Sequence, residues 1–135
     1  YVLGGVISYA NSLKTQLLGV SEALLEKHGA VSEEVARAMA EGALRETSAD
    51  LAVAITGIAG PGGGSEHKPV GTVCFALAKR VGSAAGTAEI RTFTERFPGT
   101  RDFVRSISAY YALRLFAGAA SEKLDVQKVT RVQEA

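Results

Sequence analysis

Thr56-Gly-Ile-Ala-Gly-Pro-Gly-Gly-Gly-Ser-Glu-His-Lys-Pro-Val-Gly-Thr72 lies between two strongly apolar segments, Leu51–Ile55 and Val70–Ala78. Both flanking segments read as buried strands, apolar on both faces as a central parallel strand would be. The run between them holds six of the chain's fifteen glycines. Glycine is expensive in chain entropy but allows positive φ and close approach of bare backbone N–H groups to an anion or oxyanion. Such density favours a ligand loop over a plain flexible connection. No Gly-Lys-Ser/Thr follows, and Pro69 blocks a helix there, so the run is not a nucleotide triphosphate P-loop.

Outward from this loop, strands and helices alternate. Val2–Tyr9 is apolar and β-rich apart from Gly4 and Gly5 and reads as a strand. Asn11 is placed to cap a short helix through Leu18 that Gly19 stops, and Ser21 caps another through His28 that Gly29 stops. Ser32 caps a longer helix whose stripe Val35, Met39, Ala43 with Ala36, Ala40, Leu44 repeats at i, i+4. Beyond the loop, Ala88–Phe97 alternates, with Ile90, Thr92, Thr94 and Arg96 on one face and Arg91, Phe93, Glu95 and Phe97 on the other. That pattern suits a strand near a sheet edge, and the short small-residue stretch 81–87 pairs it with its predecessor as an antiparallel hairpin. Thr100 caps a last helix carrying Val104, Ile107, Tyr111 and Leu115 on one face. Residues 121–135 read as a charged tail. The expected architecture is an α/β, three-layer α/β/α domain over residues 1–120 with a mixed, mainly parallel sheet.

Composition bounds the function. A chain of 135 residues with 47% hydrophobic and 21% charged residues is one ordinary globular domain. A net charge of +1 gives no electrostatic case for nucleic acid or an anionic membrane surface. No apolar stretch reaches membrane-spanning length and no signal-peptide pattern is present, so the cytoplasm is the expected location. The single cysteine, Cys74, sits in an apolar run and reads as a small buried hydrophobe. His28 and His67 have no Cys/His cluster near them, so no metal site is expected. The chain begins at Tyr1 inside an apolar run rather than at a methionine, and reads as a piece of a longer polypeptide.

The loop after Ile55 and the Tyr9–Lys14 turn both leave strands at ends where ligands gather in α/β folds. Lys14 falls in the first turn of a helix, where the dipole disfavours a cation. Partly desolvated there, it would have a lowered pKa and could act as a general base; the competing reading is a solvated surface lysine. Ser65-Glu-His-Lys68 has the Ser-x-x-Lys spacing of some acyl-transfer enzymes, but Pro69 pushes Lys68 out of helical geometry. Arg101 and Arg105 flank a helix start, which makes a phosphate site conceivable beside a solvated-helix alternative.

Gly4-Gly5-Val6-Ile7-Ser8-Tyr9-Ala10-Asn11-Ser12-Leu13-Lys14, Leu18-Gly19-Val20, His28-Gly29-Ala30-Val31-Ser32-Glu33, Thr56–Gly64 and Lys68-Pro-Val-Gly-Thr-Val73 together resemble the C-terminal domain of the competence-damage-inducible CinA family. The resemblance runs in order from Tyr1 to about Phe116. It implies a three-layer fold with a mixed five-stranded sheet, no cofactor and no metal. It also implies an amidohydrolase that converts nicotinamide mononucleotide to nicotinic acid mononucleotide and ammonia, and a tendency to form homo-oligomers. The implied chemistry is a Ser/Lys dyad with Lys14 as base, Tyr9 as a supporting hydroxyl and Thr56 beside the reacting amide. Gly57, Gly60, Gly62, Gly63, Gly64 and Arg101 are the implied substrate-binding residues.

Two departures from the family pattern stand out. The family's serine lies in a Glu-Ser-Cys-Thr-Gly-Gly motif ahead of the residue matching Tyr1, and nothing here matches it. The expectation is therefore a domain lacking its first strand and helix. The family's Gly-Asp-Arg appears as Gly99-Thr100-Arg101, which keeps the arginine and replaces the aspartate with another good cap. The competing class is a non-catalytic nucleotide-binding or regulatory module.

Overall fold

The computed structural model describes residues 2–82 and 87–121. Four helices and three strands follow in the order α1 (Asn11–Leu18), α2 (Glu22–His28), α3 (Glu33–Thr47), β1 (Leu51–Gly57), β2 (Thr72–Arg80), β3 (Ala88–Arg96) and α4 (Arg101–Ala120). The local signals work as the residues dictate. The Ser21, Ser32 and Thr100 hydroxyls accept from the N–H groups of Leu24, Val35 and Phe103 and so cap α2, α3 and α4. Gly19 ends α1 at φ 67°, a left-handed turn that glycine adopts without strain. Asn11 departs from its expected role: Ala10 is the cap position, without a side-chain bond, and Asn11 is the first helical residue.

The sheet has the order β1-β2-β3, and both pairings are antiparallel. The mainly parallel sheet expected from the apolar strands is thereby corrected among the described residues. An apolar strand says that both faces are covered but carries no information on direction. Here the glycine-rich run folds straight back, so β1 and β2 form a hairpin. Their ladder extends through Ile58 N–H to Thr72 O (2.8 Å) and Gly71 N–H to Ile58 O (2.7 Å). The expected β2–β3 hairpin is present and is closed by Val81 N–H to Thr87 O at 3.1 Å. Residues 83–86 and the tail 122–135 lie outside the described residues.

Val2–Tyr9 is not a strand. A strand exists only through a neighbour's backbone groups, and among the described residues none pairs with this segment. Val2, Leu3, Ile7 and Tyr9 are instead solvent-exposed.

Helices cover both faces, giving the α/β/α layering. On one face α3, with α1 and α2 behind it, buries Val35, Ala36, Met39, Ala40 and Leu44 against Ala52, Ala54, Cys74, Ala76 and Ala78. On the other, α4 buries Val104, Tyr111, Ala112 and Leu115 against Val73, Phe75 and Phe97. The alternation of β3 sorts as expected: Thr92 and Thr94 turn to the α3 face and Phe93 to the α4 face.

Candidate functional site

Lys14 reaches its site because α1 packs hard onto α3. At Gly42 of α3, an added Cβ would run into the carbonyl oxygen of Leu18, so only glycine allows the two helices this close. Arg45 adds a bond to the same carbonyl at 3.1 Å, closing the C-terminal end of α1. The Lys14 side chain is consequently buried, 6% exposed. Its amine donates to the carbonyls of Ser8 (2.7 Å) and Tyr9 (3.3 Å). Among the described residues it forms no ion pair. Burial without a compensating carboxylate pushes its pKa below the ordinary lysine value. The two carbonyls accept two of its N–H donors and fix the position of the amine.

Tyr9 contributes its carbonyl rather than its hydroxyl: the side chain is 88% exposed. Thr56, at the end of β1, is buried on the α3 face, and its hydroxyl donates to Ala30 O at 2.7 Å in the turn between α2 and α3. Lys14 and Thr56 thus belong to the same side of the sheet, but no hydrogen bond among the described residues joins them.

The glycines of the loop divide by what surrounds them. A Cβ on Gly57 would press on β2 at Val73 and Thr72, and one on Gly64 would meet Val70 N at 2.7 Å. Gly60 would meet the Val70 side chain. These three let the loop fold onto itself. Gly62 has open space around it, and Gly63 has only the Ile58 side chain at 3.7 Å. Their surroundings leave room for a ligand.

Arg101, the first residue of α4, donates from Nη1 to Gly60 O at 3.0 Å. Lys68 does not pair with Ser65 as a nucleophile would require. Its amine goes to His28 O (2.7 Å), while the Ser65 hydroxyl accepts from the Lys68 N–H (3.0 Å). The sequence offered one signal for the Lys68 contact: a residue held extended by the following proline carries its long side chain away from its own turn. It offered none for Glu33, whose carboxylate accepts from the Thr92 (2.7 Å) and Thr94 (2.8 Å) hydroxyls of β3. On the opposite face a groove of about 240 Å³ runs between β1 and α4, lined by residues including Ile55, Ala59, Val73, Val104, Arg105 and Ser108. Neither Lys14 nor Thr56 lines it. Among the described residues no group of His, Cys, Asp and Glu side chains could hold a metal ion.

Residues 1–120 match the family model of the CinA C-terminal domain. The chain belongs to the CinA C-terminal domain family. It is 56% identical over 122 residues to a CinA-like protein of Mycobacterium marinum, an alignment covering 90% of this chain and 27% of that relative. The crystal structure of the competence/damage inducible protein CihA from Agrobacterium tumefaciens superposes with a TM-score of 0.72 at 39% identity, covering 82% of this chain and 64% of that one. A CinA superfamily protein from Klebsiella pneumoniae gives a TM-score of 0.73 at 34% identity, covering 84% and 68%. The chain spans 26–27% of the length of the curated relatives first matched. Among the described residues no helix is long and apolar enough to cross a membrane.

Proposed function

We propose that this CinA domain carries the general base and the substrate loop of an amidohydrolase that deamidates nicotinamide mononucleotide. The observation that carries the reading is Lys14: a buried amine with a lowered pKa, held by two carbonyls and, among the described residues, by no carboxylate. A lysine so placed gives up its proton more readily than an exposed one and so is a candidate base. In the proposed reaction the neutral amine takes the proton of a serine hydroxyl, and the alkoxide attacks the carboxamide carbon. Loop N–H groups stabilise the resulting oxyanion. Lysine then returns the proton to the departing nitrogen, ammonia leaves, and water releases nicotinic acid mononucleotide from the acyl-serine.

The serine is the one group this reading takes from outside the 135 residues, from the Glu-Ser-Cys-Thr-Gly-Gly motif of the family. Thr56 is assigned to the amide end of the substrate. The exposed glycines, with Gly57, Gly60 and Arg101 as their support, are assigned to its nucleotide end. We place the reaction in the cytoplasm and expect the active species to be an oligomer.

The test is ammonia release from nicotinamide mononucleotide. The 135-residue chain should release none above heat-killed protein, and the chain extended by the serine-bearing motif should turn over. In the extended protein, Lys14→Ala should lower kcat by about 10²–10⁴ while KM changes little. Near wild-type kcat in that variant would refute the assignment. Binding of the nucleotide without turnover in the extended protein would instead favour a regulatory nucleotide-binding module.

A further inference from the structure

The glycine-rich loop has two feet and an exposed middle. Gly60 is buried and Lys68 half-buried, while every residue from 61 to 67 is solvent-exposed. At each foot a cation meets a backbone carbonyl. At the first, Arg101 at the start of α4 donates to Gly60 O at 3.0 Å. At the second, Lys68 donates to His28 O at 2.7 Å, the last residue of α2. The two ties lie on opposite faces of the sheet, because α2 packs into the small-residue core and α4 into the aromatic one.

We propose that Lys68 and Arg101 are positioning residues that hold the loop as a preformed strap across the end of the sheet, so that Gly62 and Gly63 face the substrate without an ordering step. Three features support the assignment. The ties bracket the exposed stretch, one at each end. Each is a hydrogen bond from a charged donor, the stronger class. At the Lys68 foot the acceptor is also the carbonyl end of a helix, where a cation is favoured. The loop adds its own turn between them, Ser65 N–H to Lys68 O at 2.9 Å and Lys68 N–H to the Ser65 hydroxyl at 3.0 Å. Lys68 therefore fixes this turn through its backbone and the whole foot through its side chain. A glycine-rich segment loses more entropy than any other on ordering, so prior fixation at both feet is what allows tight binding at its tip.

On this account Arg101 acts on the ligand through the loop. The proposal rests on the amidohydrolase reading only for the identity of the ligand, and the strap is measured without it. Amide hydrogen exchange on the 135-residue chain should show the Ser65 and Gly71 N–H groups, both bonded here, exchanging about tenfold faster or more in Lys68→Ala and in Arg101→Ala. Ala76 in the centre of β2 should keep its protection in both. The conservative variants Lys68→Arg and Arg101→Lys should recover most of the loop protection. Unchanged loop exchange in the alanine variants overturns the proposal, and so does acceleration that spreads equally to β2 or that the conservative variants fail to rescue. In calorimetry, Arg101→Ala and Lys68→Ala should weaken nicotinamide mononucleotide by similar factors, because both feet hold the same glycines. Loss in Arg101→Ala with Lys68→Ala unaffected would make the arginine a direct phosphate contact and overturn its positioning role. Wild-type protein that does not bind the mononucleotide would refute the substrate reading and leave the exchange result to decide the strap.

Discussion

The two faces of the sheet are built on opposite principles. On the α3 face the strands contribute Ala52, Ala54, Cys74, Ala76 and Ala78, and the helix answers with Ala36 and Ala40 beside Val35, Met39 and Leu44. On the α4 face the contacts are Phe75, Phe93, Phe97 and Tyr111, with Phe75 stacked on Phe93 at 5.4 Å between centroids and tilted on Tyr111 at 4.9 Å. Behind α3 lies a second helical layer, α1 and α2, and Gly42 admits α1, which delivers Lys14. On the α4 face aromatic side chains pack under a single helix, and among the described residues no buried lysine or histidine lies there. The aromatic face supplies stability by area; the small-residue face supplies geometry. Both faces also hold polar groups through defined hydrogen bonds: Lys14, Thr56 and Glu33 on the α3 face, and on the α4 face the Tyr111 phenol to Glu95 at 3.0 Å and the Ser108 hydroxyl to Val104 O at 2.6 Å.

The strongest way to break this comparison is Phe75→Ala. Phe75 is fully buried, and its truncation should cost about 3–5 kcal/mol in denaturant unfolding. If the division holds, the depressed titration of Lys14 should survive in the folded fraction, because the loss falls on the other face. Gly42→Ala on the small-residue face should cost less, about 1–3 kcal/mol, as overpacking against the Leu18 carbonyl. It should nevertheless return Lys14 toward an ordinary lysine pKa by lifting α1, which NMR titration would read. A Gly42→Ala protein with Lys14 unmoved would show that close packing is not what buries the amine. Thr56→Val removes the donor to Ala30 O and should cost about 1 kcal/mol in the same unfolding measurement.

The smallest effects are in pH dependence, and the two faces have opposite signs. Burial lowers the Lys14 pKa below the ordinary 10.5, so between the folded value and 10.5 the unfolded chain binds more protons. Stability therefore rises with pH across that window. Burial, with the Glu95 carboxylate second, raises Tyr111 above its ordinary 10.0. Its contribution is fully present below pH 10 and falls as pH climbs toward the folded value, because only the unfolded chain gives up the proton there. Lys14→Met should remove the alkaline gain and Tyr111→Phe the alkaline loss, both read from denaturant midpoints across pH 8–11 with the wild-type curve as reference. Matching slopes in the two variants would dissolve the distinction.

Much of this architecture is written in short-range signals. Ser21, Ser32 and Thr100 announce their helices because a cap is a contact three residues long. The alternation of β3 assigns Thr92 and Thr94 to one face and Phe93 to the other because strand side chains alternate by geometry. The family was legible from ordered motifs, and Lys14 stood out by the helix that carries it. Val2–Tyr9 has a composition that suits a strand, while forming one needs a partner edge that composition cannot supply.

The sequence by itself determined the helices, the caps of α2, α3 and α4, the sorting of β3 and the family. Each is set by residues within a turn or two of one another or by a linear pattern. Tertiary structure alone decided that β1 and β2 run antiparallel, that Gly42 admits α1, and that Lys14 finds two carbonyls. It also decided that Lys68 and Arg101 reach across 40 and 41 positions to the carbonyls that hold the loop. Such partners depend on which elements meet in space. A carbonyl is present at every residue, so nothing in a one-dimensional pattern marks the one a cation will choose.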